Sequence, residues 1–504
     1  VGLCPKPLRY GYIKRAMMIK QNCTIWWLFC ASIILILSSP LSGQSTLSKE
    51  EQEIIQQIEE RGTHYGSMAQ QIWSWAELGY QEERSSALLQ QELSAAGFTV
   101  ETGVADIPTA FIASYGSGEP IIGVLGEFDA LPGISQAAVA YPQTREGAAN
   151  GHACGHHLFG TASAAAAIAI KDWLAKTGTS GTIRIYGTPA EEGGAGKVYM
   201  PRAGLYDDVN AVLHWHPGDS NSADPGSTLS NMSAKFRFHG RASHAAAAPQ
   251  RGRSALDGVE AMNYMVNLMR EHVDEKTRIH YVITNGGAAP NVVPAFAEVF
   301  YYVRHPDRAE VKRLFNRLVL TAEGAATGTE TRMKYEVIHG LYNLMPNSTL
   351  AEVMYENLQK VGGVEYNEAE YIFADSILQT YKRPGIELES AAQIAEYQPN
   401  PGVYPASTDE GDVSWVTPTA GLRTATWVPG TSAHSWQAVA AGGMSIGKKG
   451  MLVAAKTISL TAIQLFSAPE ICDKAREELE TRTGADFEYE ALIGDRKPPL
   501  DYRN

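Results

Sequence analysis

At 504 residues, 44% hydrophobic and 19% charged, the chain is longer than one hydrophobic core usually organises, so two domains are the default. A net charge of -13 argues against nucleic-acid binding and gives no general attraction to acidic membrane surfaces. An anionic substrate must be captured by local basic residues.

Residues 1–43 are expected to lie outside the fold. From Met17-Met18-Ile19-Lys20 the chain runs through Trp26-Trp27-Leu28-Phe29 and Ile33-Ile34-Leu35-Ile36-Leu37 to Ser38-Ser39-Pro40-Leu41-Ser42-Gly43. A charged start, a short apolar stretch and small residues make a secretory signal. The mature protein is expected to be secreted or periplasmic, with no stable membrane association after cleavage. The apolar run is short for a membrane span, and an uncleaved N-terminal anchor is the alternative. Met17 or Met18 is the expected start, Val1 being an unusual first residue. Cys4, Cys23 and Cys30 fall in this segment, leaving Cys154 and Cys472. A disulfide between these two ranks below a ligand role for Cys154, whose neighbours are glycine and histidines; Cys472 reads as an ordinary thiol.

Beyond the signal, 48–76 and 84–96 have the spacing of amphipathic helices. Short apolar strands are expected at 110–115, 121–125, 183–186 and 211–213, and the alanine-rich, charge-poor stretch 161–175 reads as a buried helix. Alternating helices and apolar strands place the chain in the α/β class with a mainly parallel sheet. From Ser233 the pattern changes. Lys235-Phe236-Arg237-Phe238 alternates like a half-buried strand, and Ser254 with Asp257 makes a capping box. It opens a helix whose Val259, Met262, Val266, Met269 and Val273 share one face. Strands at 279–284 and 298–304, a helix at 309–322 and a strand at 333–338 complete a βαββαβ order, an α+β module of ferredoxin-like type. The expected division is 44–230 for the first half of a catalytic domain, 231–344 for the inserted module and 345–504 for the second half. That second half returns to long helices, including 435–465.

The chemistry gathers in two segments. Glu191-Glu192, opening Glu191-Glu192-Gly193-Gly194-Ala195-Gly196 after a predicted strand, offers one carboxylate for a divalent cation and one to take a proton from metal-activated water. Gly151-His152-Ala153-Cys154-Gly155-His156-His157 offers thiolate and imidazole, the natural ligands of zinc. Both fall at strand ends, where open α/β sheets place ligands.

These segments, with Gly126-Glu127-Phe128-Asp129-Ala130-Leu131-Pro132, Gly240-Arg241-Ala242-Ser243-His244-Ala245-Ala246, Ala289-Pro290-Asn291-Val292-Val293-Pro294 and Ala433-His434-Ser435-Trp436-Gln437, resemble the co-catalytic metallo-amidohydrolases. That family includes aminoacylases, carboxypeptidase G and indole-acetyl-amino-acid hydrolases, and the motifs occur in its order across essentially the whole chain after the signal. Trp215-His216-Pro217, the segment from Thr408 to Trp415 and His434-Ser435-Trp436-Gln437 look most like its aminobenzoyl-glutamate hydrolase B-subunit group.

The resemblance implies two divalent ions, zinc or manganese, held by Cys154, His156, Glu192, His216 and His434, with Glu191 as general base. Leu213-His214-Trp215-His216-Pro217 presents two imidazoles on one side of an extended segment. The resemblance favours His216, with His214 the alternative. His152 reads as a hydrogen-bonding neighbour, and His157 departs from the acidic or amide residue common in the family. Asp129 takes a position that orients the metal site; Asp409 and Asp412 are weaker cases, each as compatible with an ordinary turn. The inserted module becomes a dimerisation or lid domain whose His244 reaches into a partner's site to stabilise the oxyanion, while Asn291 and Arg304 hold the substrate's free carboxylate. The implied reaction is hydrolysis of an N-acyl or N-aroyl amino acid, with aminobenzoyl-glutamate the first choice, by a homodimer, with a second type of subunit left open. The alternatives are other N-acyl amino acids or dipeptides on the same machinery, a cysteine-nucleophile amidase, and a non-catalytic metal- or ligand-binding protein.

Overall fold

A sheet assembled from both halves of the chain carries the candidate chemistry. The structure, a computed structural model, describes residues 47–381 and 385–503; the expected signal segment lies outside the described residues. Among the described residues the strands are β1 (Thr99–Thr102), β2 (Phe111–Ser117), β3 (Ile121–Gly126), β4 (Gly181–Gly187), β5 (Ala211–Gly218), β6 (Ser230–His239), β7 (Arg278–Asn285), β8 (Phe296–His305), β9 (Arg332–Leu341) and β10 (Thr419–Ala425). The central sheet has the order β1-β2-β4-β3-β5-β10. Its β4, β3, β5 and β10 run parallel, and β2 and β1 continue antiparallel at one edge. The class is therefore the expected mixed α/β one with a mainly parallel sheet.

Parallel strands covered on both faces read as continuous apolar runs, as Ile121-Ile122-Gly123-Val124-Leu125 does. The helix His156–Thr177 covers this sheet and packs against Ser445–Ser467; both are apolar nearly all round, and most of their residues are buried. The predicted helix 161–175 thus starts a turn and a half earlier, which brings His156 and His157 into its first turn.

Two expected helices are each broken. The stretch 48–76 forms Lys49–Glu60 and Gly62–Trp75, interrupted at Arg61, whose ψ of 0° leaves the helical range. The stretch 435–465 forms Trp436–Gly442 and Ser445–Ser467, because Met444 is extended and restarts the chain as an N-cap. Neither β1 nor β10 is expected from the sequence. β1 is short, polar and largely exposed, whereas β10 holds Gly421 where a Cβ would lie 2.3 Å from the ring of His214 on β5.

The inserted elements run β6, Ala255–Met269, β7, β8, Arg308–Gly328, β9, in the expected βαββαβ order. The antiparallel sheet is ordered β7-β8-β6-β9, the ferredoxin-like arrangement. Phe236, Phe238, Val259, Met262, Val299, Tyr301, Leu314 and Leu318 form a core of its own, separate from that of the central sheet. The Ser254 hydroxyl caps the first helix by accepting the Asp257 N–H at 3.1 Å. That helix stops at Met269, so Val273 lies beyond it, extended, and still packs on the core. Arg304 is on β8, an inner strand of this sheet.

Distant segments meet at one buried ammonium. Lys197, in the short helix Gly196–Arg202, has its Nζ 2.5 Å from Glu127 Oε1 after β3 and 2.7 Å from Asp409 Oδ1 before the helix Glu410–Val416. Its backbone N–H donates to the other Asp409 oxygen at 2.9 Å. All three side chains are fully buried, so each charge depends on the others. Lys197→Met is expected to lower unfolding stability by about 3–5 kcal/mol, read from urea denaturation. Adding Glu127→Gln and Asp409→Asn should restore most of it, and no change in the single variant would show the carboxylates relaxing without their cation.

Candidate metal centre

The ends of β3, β4, β5 and β10 converge on the first turn of the helix His156–Thr177, where parallel sheets place ligands. Just past β3, Glu127 and Asp129 alternate and both reach His156, with Oε2 2.9 Å from Nε2 and Oδ1 2.8 Å from Nδ1. The other Asp129 oxygen accepts the backbone N–H of Glu192 at 2.9 Å. Asp129 therefore orients an imidazole and a peptide at once, the contact that outer carboxylates make to ligating histidines.

His216 is oriented by its own neighbour. Its Nδ1 lies 2.7 Å from the Pro217 carbonyl, which leaves Nε2 facing Cys154 Sγ at 3.5 Å. His434 follows β10 after a loop, holds a left-handed backbone with φ 59°, and donates its N–H to Ala153 O at 2.9 Å. Its Nε2 lies 3.1 Å from Glu192 Oε1.

Three groups of potential ligands result, each with its donor atoms within 4.8 Å of one another: Cys154, His156 and His216; Cys154, Glu192 and His434; and Glu127, His156 and Glu191. Cys154 belongs to the first two, the position that a ligand bridging two ions needs. His156 Nε2 and Glu127 Oε2, at ion-pair distance from each other, and Glu192 Oε1, at that distance from His434 Nε2, are buried with no well-aligned hydrogen bond, and buried polar atoms of that kind are rare without a purpose. Thiolate, imidazole and carboxylate together are the donor set of a divalent transition metal. The site fits the ions.

The electrostatics agree with that chemistry. Burial opposes ionisation of Cys154, but the imidazoles of His216 and His156 outweigh it and bring the thiol down to about 5. Burial, then the charges of Glu127 and Glu192, push the Glu191 carboxyl well above its usual range, in the direction a proton acceptor needs. Hydrogen bonds to Cys154 and Glu192 raise His434 to about 10.

The Glu191–Gly194 turn is not a regular helix. Ala190 and Ala195 flank it in left-handed conformations (φ 61° and 54°), and Gly193 at φ 92° supplies the position that a side chain would strain. Glu82 accepts the Ala190 N–H at 2.8 Å, Tyr80 donates to Gly194 O at 2.8 Å, and Tyr502 donates to Glu192 O at 3.1 Å.

Other residues expected near the site divide clearly. His214 turns to Glu410, Nδ1 2.9 Å from Oε1, and joins none of the ligand groups. His152 lies 3.1 Å from the Ile72 carbonyl and His157 3.0 Å from that of Gly442; burial holds His152 well below the ordinary imidazole range and His157 at about 3. Asp409 lies in the turn that leads into Glu410–Val416, and its carboxylate is a partner of Lys197. Asp412 is buried, accepts the Tyr342 N–H at 2.9 Å and the Tyr489 hydroxyl at 2.6 Å, and burial raises it to about 7. Cys154 and Cys472 are both free thiols.

The module's residues join none of the metal groups within one chain. His244 is exposed; its Nδ1 accepts the N–H groups of Ala246 and Ala247 at 3.2 and 3.0 Å, which leaves Nε2 as an outward donor. Asn291 is exposed, with its carbonyl accepting the Ala245 N–H. Arg304 is half-buried, its guanidinium 5.4 Å from the Tyr302 ring and its Nε unpartnered.

Sequence reasoning passed over Glu127, Lys197, Glu82, Tyr80, Tyr502 and Arg503. Only Glu127 carried a signal, its alternation with Asp129.

A family model for a peptidase dimerisation domain matches residues 227–327. The chain is 42% identical over 446 residues, 84% of its length and 93% of the relative's, to the p-aminobenzoyl-glutamate hydrolase B-subunit of Escherichia coli (strain K12). It is 29% identical to the Xaa-Arg dipeptidase of Mus musculus, over 88% of this chain and 94% of that protein. A solved structure of a dinuclear metal-binding M20 peptidase from Bacillus subtilis superposes with a TM-score of 0.56 at 17% identity, covering 81% of this chain and 99% of that one, which shows the shared fold. The chain belongs to the M20 family of metal-dependent peptidases and amidohydrolases.

Proposed function

We propose that this hydrolase cleaves the amide bond of an N-acyl or N-aroyl amino acid, with p-aminobenzoyl-glutamate the first substrate to test, and that it acts as a homodimer. The observation that carries the reading is Cys154 shared between two ligand groups with Glu191 beside them. The name of the Escherichia coli relative supports the choice of substrate. Thiolate and imidazole donors favour zinc, and manganese is the second choice on account of the carboxylates. The segment 1–43 supports action in the periplasm or outside the cell.

Two bound divalent ions would supply Lewis acidity that polarises the amide carbonyl and acidifies a water molecule. Cys154, His156, Glu192, His216 and His434 would hold them. Glu191 takes the water's proton and returns it to the departing nitrogen: the C–N bond breaks as a C–O bond forms, and a carboxylate and an amine leave. His244 of a second copy donates its Nε2–H to the carbonyl oxygen as charge develops there. Asn291 and Arg304 hold the free carboxylate, an amide donor and a guanidinium fork suited to that anion.

Metal analysis with a panel of N-acylated amino acids and dipeptides tests the reading by release of free amine. Glu191→Gln should retain metal while kcat falls by at least about 10²–10⁴-fold; a chelator-resistant activity destroyed by thiol alkylation would instead make Cys154 a nucleophile. The shared site has its own check. His244→Ala and Glu191→Gln chains, each inactive alone, should recover partial activity when mixed, and absence of recovery despite proven subunit exchange would place the whole site in one chain.

A further inference from the structure

The segment from Tyr489 to Arg503 takes no part in the chemistry above, yet it touches both the inserted module and the metal-facing loop. On the module side, Glu490 pairs with Lys312 at 2.8 Å, Arg496 donates to the Ile338 carbonyl and to Glu336 Oε1, and Leu492 fills the space over Gly340 on β9. Midway, Arg202 donates to the carbonyls of Gly494 and Arg496 at 2.9 and 2.7 Å, which moors the segment to the helix that bears Lys197. Pro498-Pro499 then directs it to the turn.

There, the Tyr502 hydroxyl and Arg503 Nη2 both donate to the Glu192 carbonyl. With φ -70° and ψ 64°, Glu192 has left the helix, so this carbonyl has no helical partner. The Glu192 N–H is already held by Asp129. Both peptide groups flanking the Glu192 side chain are thus held, one by the pocket and one by the segment. The Tyr502 ring meets Tyr80 edge-on at 5.6 Å, and Tyr80 holds the carbonyl of Gly194 two residues on.

We propose that Tyr502 and Arg503 are positioning residues, which fix the Glu192 peptide so that the Glu191 and Glu192 carboxylates face Cys154 and His156, and that their segment ties this loop to the module's last strand. The inference rests on the proposed function, because it assigns Glu192 to a metal and Glu191 to a proton. A displacement of about 1 Å at such a site lowers turnover by about 10²-fold, and loss of an outer support weakens metal binding by about 10–100-fold.

The test compares the full chain with Tyr502→Phe, Arg503→Lys and the Tyr502→Phe/Arg503→Met double variant. Zinc affinity is measured by competition with a chromophoric chelator, kcat and KM with the best substrate of the panel, and folding by thermal melting. In the double variant, kcat should fall by about 10–100-fold at unchanged KM, and zinc affinity should fall by about 10–100-fold, with melting close to that of the parent. Arg503→Lys, which keeps a donor, should recover most of both. Unchanged kcat and zinc affinity in the double variant would overturn the proposal, as would losses that match an equal fall in melting temperature. If the double variant does not fold, Tyr502→Phe, lacking a single hydroxyl, decides by the same two readouts. A parent that binds zinc but releases no amine overturns the substrate reading, and zinc affinity alone then decides the positioning role.

Discussion

Lys197 holds two carboxylates in a space without water, and much else is arranged around that contact. Glu127 comes from the end of β3 and Asp409 from a segment 212 residues further along than Lys197, so the ammonium joins the two halves of the interrupted domain. Such a triad is stabilising only while complete, because removing one charge strands the others in a low dielectric. Around it the pocket gathers Asp129, Glu191, Glu192 and the acidic thiol of Cys154. Carboxylates and a thiolate gathered this closely favour a cation among them, a proton on an imidazole or a metal ion, and they make Glu191 a group that welcomes a proton.

Division of labour follows from backbone geometry. Asp129 takes one nitrogen of His156 with one oxygen and the Glu192 peptide with the other, so two donor residues, one in the first turn of a helix and one in the turn after β4, share one reference point. Ala190, Gly193 and Ala195 bend the turn to present adjacent carboxylates to different neighbours, which a regular helix would splay about 100° apart. Strain of this kind persists only where the surroundings over-determine it, and here Glu82, Tyr80, Tyr502 and Arg503 do so. The inserted module carries His244 and Arg304 on a separate core, joined to this framework through the segment that bears Tyr502 and Arg503.

What the sequence disclosed and withheld follows the range of each interaction. Apolar runs alternating with helices and the βαββαβ order depend on neighbours in the chain, and they gave the sheet class and the module. The adjacency of Glu191 and Glu192 and the Cys154–His156 pair are equally local. The choice between His214 and His216 is not, because alternation puts both on one face; Glu410 and Gly421, about two hundred residues away, take His214 into a packed niche. Lys197 gave no sign, since a lysine in a short apolar helix has no local reason to be buried. For Asp409 and Asp412 a site-orienting role and an ordinary turn stayed equally open, because their partners, Lys197, Tyr342 and Tyr489, are invisible to any window. Tyr502 and Arg503 lie in an irregular segment with no periodicity to read.

The helices His156–Thr177 and Ser445–Ser467 are long and apolar enough by composition to cross a bilayer, and in the fold most of their residues are buried. Their distinction from membrane segments is therefore tertiary: it exists only once they have found each other. Before that, on the ribosome or during any passage in an extended state, they are the segments that chaperones and insertion machinery are most apt to seize. Lys171, Asp172 and Lys176 in one, and Lys448, Lys449 and Lys456 in the other, are the charges that interrupt their apolar sequence. The wall that shapes the metal pocket is also the part of the chain most at risk before folding is complete.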